Sequence, residues 1–151
     1  MKKIFSILLS LAMVLSLVPA VFAADEPTIT MSADKTSVAP GETVTLTVSL
    51  DKELVADAVG ISISFDTDAY TLTGRKNLGS RPARLGFTNI DPANNQGAVK
   101  FFYLQTAFDK DDPSHTSFAA GDWASFTFTA KEGADTSNAK FTMKVDNLLT
   151  Y

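Results

Sequence analysis

Side chains able to do chemistry are few in this chain of 151 residues, which holds one histidine and no cysteine. His115 follows Pro113 and Ser114 in a polar stretch. A triad base needs a nucleophile and an orienting acid, and no spacing here marks either. A solvated loop histidine is the simpler reading. A single His without Cys also lacks the usual ligands of zinc. Asp66 and Asp68 have the residue type of a glycosidase pair. They sit two apart in turn-forming sequence, where short carboxylates bond their own backbone. Asp109, Asp111 and Asp112 form an acidic knot that could offer oxygens to calcium, but without the fixed spacing and glycine of a calcium loop. A solvated acidic loop is the default there, with a bound ion as the alternative. The sequence therefore points away from catalysis and marks no cofactor or metal site.

The aromatics are the other candidates. Trp123, Tyr70, Tyr103 and Phe102 could stack on sugar rings if they shared an exposed flat face. Alternation puts Trp123 opposite Phe126 and Phe128 at the start of its strand, where it either caps the core or is exposed. Phe102 and Leu104 fall on a nominally outer face. An apolar outer face marks a binding surface unless a loop covers it.

Strands must position these side chains. Val59, Ile61, Ile63 and Phe65 alternate with Gly60, Ser62, Ser64 and Asp66, the period of a strand with one buried face. Asp66-Thr-Asp reads as a tight polar turn, and Tyr70-Thr-Leu-Thr as a second strand ended by Gly74. Residues 28–32 read as a first strand. Val44, Leu46, Val48 and Leu50 alternate with hydroxyl residues in another. The charged connection 51–57 has room for a helical turn. A strand is expected over 85–90, and a turn over 91–97. Val99, Phe101 and Tyr103 are expected inside, with Lys100, Phe102 and Leu104 outside. A long polar loop spans 108–118. Ala124, Phe126, Phe128 and Ala130 mark a long strand. Phe141, Met143 and Val145 face inward in the last. No window carries a helical period. Seven to nine short strands with varied turns predict an all-β, antiparallel β-sandwich of jelly-roll or immunoglobulin-like topology rather than a barrel.

The first 23 residues stand apart. Lys2 and Lys3 precede an apolar run from Ile4 to Val18, and Val21-Phe22-Ala23 offers a peptidase site. This is the pattern of a cleaved secretory signal, too short for a bilayer span of about 20 residues. Residues 24–151 then form one domain. Its loss of two lysines from 13 basic and 17 acidic residues leaves 11 and 17, a net charge of −6. That balance disfavours nucleic acid and anionic membranes. A secreted chain without Cys holds by its core alone.

Four segments taken in order resemble cohesin modules: Gly41-Glu-Thr-Val-Thr-Leu-Thr-Val, then Val59-Gly-Ile-Ser-Ile-Ser-Phe-Asp-Thr-Asp-Ala-Tyr-Thr-Leu, then Gly97-Ala-Val-Lys-Phe-Phe-Tyr, then Gly121-Asp-Trp-Ala-Ser-Phe-Thr-Phe-Thr-Ala-Lys-Glu-Gly-Ala. The resemblance runs from about Ile29 to Val145. It implies a nine-stranded jelly-roll sandwich and a non-catalytic receptor for a dockerin-bearing secreted protein in a polysaccharide-degrading assembly, with calcium on the dockerin. It also implies a binding face built by strands 59–65, 85–90, 99–104 and 123–130. The outward residues on those strands are Gly60, Ser62, Ser64, Asp66, Lys100, Phe102, Ser125 and Thr127. Ala58 and Gly60 stand where many cohesins carry Asn and Asp, and Phe65 and Thr67 replace Tyr and Pro. The family's closing strand has no counterpart before Tyr151: either the gene is clipped or the sandwich lacks that strand, and in the second case residues 28–32 would be left as an unpaired edge. A carbohydrate-binding module and an immunoglobulin-like spacer or adhesin piece are the alternatives.

Overall fold

Strict alternation of apolar and hydroxyl side chains builds both sheets. In the strand Thr43–Leu50 the four apolar residues are buried, and the intervening Thr45, Thr47 and Ser49 are only partly covered. The computed structural model describes residues 26–79, 84–87, 89–104 and 117–149. Among these, ten strands and one helix follow in chain order: β1 (Ile29–Ala33), β2 (Thr43–Leu50), β3 (Leu54–Val55), β4 (Ala58–Ser64), β5 (Tyr70–Asn77), β6 (Arg84–Phe87), α1 (Ile90–Gln96), β7 (Ala98–Leu104), β8 (Ser117–Phe118), β9 (Gly121–Ala130) and β10 (Thr142–Leu149). One antiparallel sheet has the order β1-β2-β9-β5, and the other β10-β4-β7-β6. β3 and β8 form a separate two-stranded ladder. This is the expected antiparallel sandwich.

The core lies between the two inner faces. Leu46, Phe126 and Phe128 from one sheet meet Ile61, Ile63 and Phe101 from the other, all fully buried. Rings bridge the sheets, with Phe101 and Phe126 centroids 5.1 Å apart and Phe65 and Phe128 4.9 Å apart. Each such ring removes about 150–250 Å² from water, the main stabilising term in a fold without disulfides.

Four local expectations change. The second strand does not end at Gly74: β5 runs on to Asn77, and it joins the sheet that β4 is not in. The Asp66 turn carries the chain from one sheet to the other. Asp66 Oδ1 accepts the Asp68 N–H at 2.8 Å, and the Asp66 carbonyl accepts the Tyr70 N–H at 2.9 Å. Residues 91–97 are not a turn: Ile90–Gln96 is helix α1, with Pro92 tolerated in its first turn and Gly97 ending it at φ 64°. Seven residues are too few to show a period. β6 is correspondingly shorter than the expected 85–90. The connection 51–57 holds strand β3 instead of a helical turn.

The fourth change concerns Trp123. Opposite β9, Val48 pairs with Ala124 and Ser49 with Asp122, so Trp123 is an extra residue in a β-bulge. The bulge lets two successive residues, Trp123 and Ala124, both face inward, and Trp123 is 3% exposed. Its indole N–H donates to the Ala119 carbonyl at 3.2 Å.

The sandwich edges are handled unequally. Asn94 of α1 grips the free side of β5, accepting the Leu72 N–H at 2.7 Å and donating to the Leu72 carbonyl at 3.0 Å. A side-chain amide thus stands in for a neighbouring strand. β1 pairs with β2 alone among the described residues.

Candidate partner-binding face

The outer face of β10-β4-β7-β6 is ordered as rungs running across β4. Leu149, Ala58 and Leu104 form the first. Asn147, Gly60 and Phe102 form the second, Lys144, Ser62 and Lys100 the third, and Thr142, Ser64 and Ala98 the fourth. β6 extends the first two through Arg84 and Gly86, the register partners of Leu104 and Phe102.

One end of this face is apolar and open. Leu149 is 59% exposed, Phe102 51% and Leu104 39%. Leu149 reaches it through a second bulge. Phe141, just before β10, and Met143 within it are turned inward, and unbroken alternation would continue that parity through Leu149. The register shifts between Val145 and Asn147, leaving Asp146 as the extra residue. Beyond it Asn147 and Leu149 point outward, and Leu148 pairs with inward-facing Val59. Asp146 Oδ1 lies 3.8 Å from Lys144 Nζ.

Behind the apolar end stands Tyr103, between Phe102 and Leu104 in β7 and turned into the core. Its hydroxyl donates to the Trp123 carbonyl of the opposite sheet. It also lies 3.3 Å from Asn77 Oδ1. The same Trp123 carbonyl accepts the Leu78 N–H at 2.8 Å and the Gly79 N–H at 3.0 Å. Burial holds the Tyr103 phenol well above its usual pKa range. This tie between the sheets fixes the height of β7, and with it the Phe102 and Leu104 side chains.

Of the eight residues expected on one face, five are brought together: Gly60, Ser62, Ser64, Lys100 and Phe102. Asp66 lies in the turn after β4, where its carboxylate serves the turn itself. Ser125 and Thr127 are on the outer face of the other sheet, paired with Thr47 and Thr45 of β2. β9 is central to that sheet, so strand 123–130 does not contribute to this face, and β10 takes its place. Alternation assigns faces within a strand and is silent on which sheet the strand joins. Lys144, Asn147 and Leu149 were missed for that reason and because of the bulge. The Leu148-Leu149 pair at a strand end was the available signal.

His115 and the Asp109, Asp111 and Asp112 knot lie outside the described residues. Among the described residues no three His, Cys, Asp or Glu side chains cluster to hold a metal ion. No helix among them is long and apolar enough to cross a membrane.

Neither a family model nor a curated protein matches the sequence. Solved structures do match in shape. The second type II cohesin module of the cellulosomal adaptor ScaA scaffoldin of Acetivibrio cellulolyticus aligns with a TM-score of 0.58 at 16% identity, over 82% of this chain and 78% of that one. A type II cohesin from the same organism, solved in complex with an X-dockerin, gives 0.56 at 17% identity, over 81% and 78%. The sixth cohesin of its scaffoldin B, solved with a Cel5 dockerin, gives 0.53 at 17%, over 76% and 79%. The chain therefore has the cohesin fold, as its ordered motifs led one to expect.

Proposed function

We propose that this chain is a secreted, non-catalytic module that binds a dockerin-bearing protein through the outer face of β10-β4-β7-β6. The observation that carries this reading is the exposed Phe102, Leu104 and Leu149 on one sheet of a cohesin fold. Exposed apolar groups that adjoin across strands are characteristic of interaction surfaces. Two similar structures are themselves complexes with dockerins. The N-terminal leader supports export, with cleavage after Ala23, and calcium would enter on the dockerin.

The test is calorimetric titration of residues 24–151 with a panel of dockerin modules, in calcium and in chelator. Calcium-dependent binding is expected, abolished by Phe102→Asp and unaffected by Ser125→Arg on the opposite sheet. Flat traces from a folded sample, or equal loss with both variants, would refute the reading. The carbohydrate-binding alternative rests on Phe102 alone, because Trp123 is buried and offers no stacking surface.

A further inference from the structure

The two ends of the β10-β4-β7-β6 face differ in chemistry. On the three strands β10, β4 and β7 the Leu149–Ala58–Leu104 rung is apolar throughout, and Arg84 of the edge strand β6 is the register partner of Leu104. Two rungs along, Ser62 is flanked by Lys100 and Lys144, both exposed. The acid nearest in sequence to this rung on β10 is Asp146, which pairs with Lys144. The bulge keeps Asp146 out of the rungs themselves. Had β10 kept plain alternation, Asp146 would stand opposite Gly60 and Leu149 would turn inward. Leu148 would then take Leu149's place opposite Ala58, and the face would lose its uniform sign of charge.

Resting on the dockerin reading, we infer that the partner docks with a defined polarity. An apolar side chain seats on the Leu149–Ala58–Leu104 rung beside Phe102, and an acidic one meets Lys100 and Lys144. The two rungs are four β4 residues apart, or about 13 Å. A partner helix lying along β4 covers that span in about nine residues. The recognised element is therefore a helix with a large apolar residue near one end and Asp or Glu about seven or eight positions away, the spacing near that length that keeps both on one helix face. The apolar pole supplies the buried contact, and the lysines supply orientation and rejection of basic partners.

The test uses a dockerin that binds in the panel above. Leu104→Ser with Leu149→Ser should weaken binding at least tenfold and leave its salt dependence unchanged. Lys100→Glu with Lys144→Glu should weaken it by a similar factor and flatten the dependence between 50 and 300 mM salt, conditions that differ in screening length. A dockerin whose helix acid is changed to Lys should restore binding to the lysine-reversed form only, a coupling read by a double-mutant cycle. Each variant changes exposed residues, and circular dichroism verifies its fold. Lysine reversals that leave both affinity and salt slope unchanged, in a chain whose wild type binds, would overturn the polarity alone. Failure of every dockerin to bind wild type would overturn the polarity together with the reading beneath it.

Discussion

Gly97 joins α1 to β7, and its replacement by Ala separates two effects that are usually confounded. Its φ of 64° lies in the left-handed region. An added Cβ would stand 3.0 Å from the Phe65 carbonyl oxygen and 3.2 Å from Thr67 Cγ2. The Phe65 N–H also donates to the Gly97 carbonyl at 2.8 Å, so neither backbone can retreat easily. Gly133 shares the backbone feature, at φ 73°, but has nothing within 4 Å of an added Cβ. Left-handed Ala costs about 1–2 kcal/mol, offset by about 0.5 kcal/mol from a stiffer unfolded chain. Gly133→Ala should therefore destabilise by about 1 kcal/mol. Gly97→Ala adds an overpacking cost of about 1–3 kcal/mol against backbone, for a sum near 2–4 kcal/mol. Gly60 has no such φ, and its nearest neighbour, Asn147 Nδ2, is 3.5 Å away. Gly60→Ala should be neutral or stabilising by about 0.5 kcal/mol. Urea midpoints at constant slope measure all three. Equal losses at Gly97 and Gly133 would refute the argument that the Phe65 carbonyl confines this junction.

Ile63→Asp should abolish folding, because an unpaired carboxylate in the fully buried core costs more than a domain's net stability of about 5–15 kcal/mol can absorb; an unchanged melting midpoint would mean that Ile63 does not face the core. Tyr103→Phe should lower stability at neutral pH by about 1 kcal/mol, leaving the Trp123 carbonyl with its two backbone donors. Since burial raises the folded-state pKa of Tyr103, its contribution is complete below the unfolded value of about 10 and is lost as pH rises beyond it. The variant should show less alkaline loss than wild type, and an identical pH profile would contradict the assignment. Asn94→Ala should cost about 1–2 kcal/mol for its two bonds to Leu72, and should raise the aggregation rate by exposing the β5 edge. Light scattering indistinguishable from wild type would show that α1 does not guard that edge.

The strands themselves were legible. Val44 to Leu50, Val59 to Phe65 and Val99 to Tyr103 alternate without interruption, and burial follows that alternation residue by residue. The sheet to which each strand belongs was not. The Asp66 turn looks the same whether the next strand pairs back or crosses the sandwich, and here it crosses. The bulges at Trp123 and Asp146 were equally silent. An extra residue at Trp123 or Asp146 has no compositional signature, yet each reverses the facing of every residue beyond it. Those reversals buried the tryptophan proposed as a sugar platform and turned Leu149 outward. Five of the eight face residues came together because β4 and β7 are neighbours. The other three were misplaced by sheet membership or by service to a turn.

The chain contains a single tryptophan, and its surroundings make it an optical reporter. The Trp123 ring lies 4.9 Å from Tyr103 and 5.6 Å from Phe118 in centroid distance, shut away from water. Its emission should be blue-shifted, and excitation of Tyr103 should pass to it efficiently. Tyr103 is also the residue directly behind the exposed Phe102 and Leu104. Intrinsic fluorescence would then register both opening of this end of the sandwich and occupation of the face beyond it, without an attached dye.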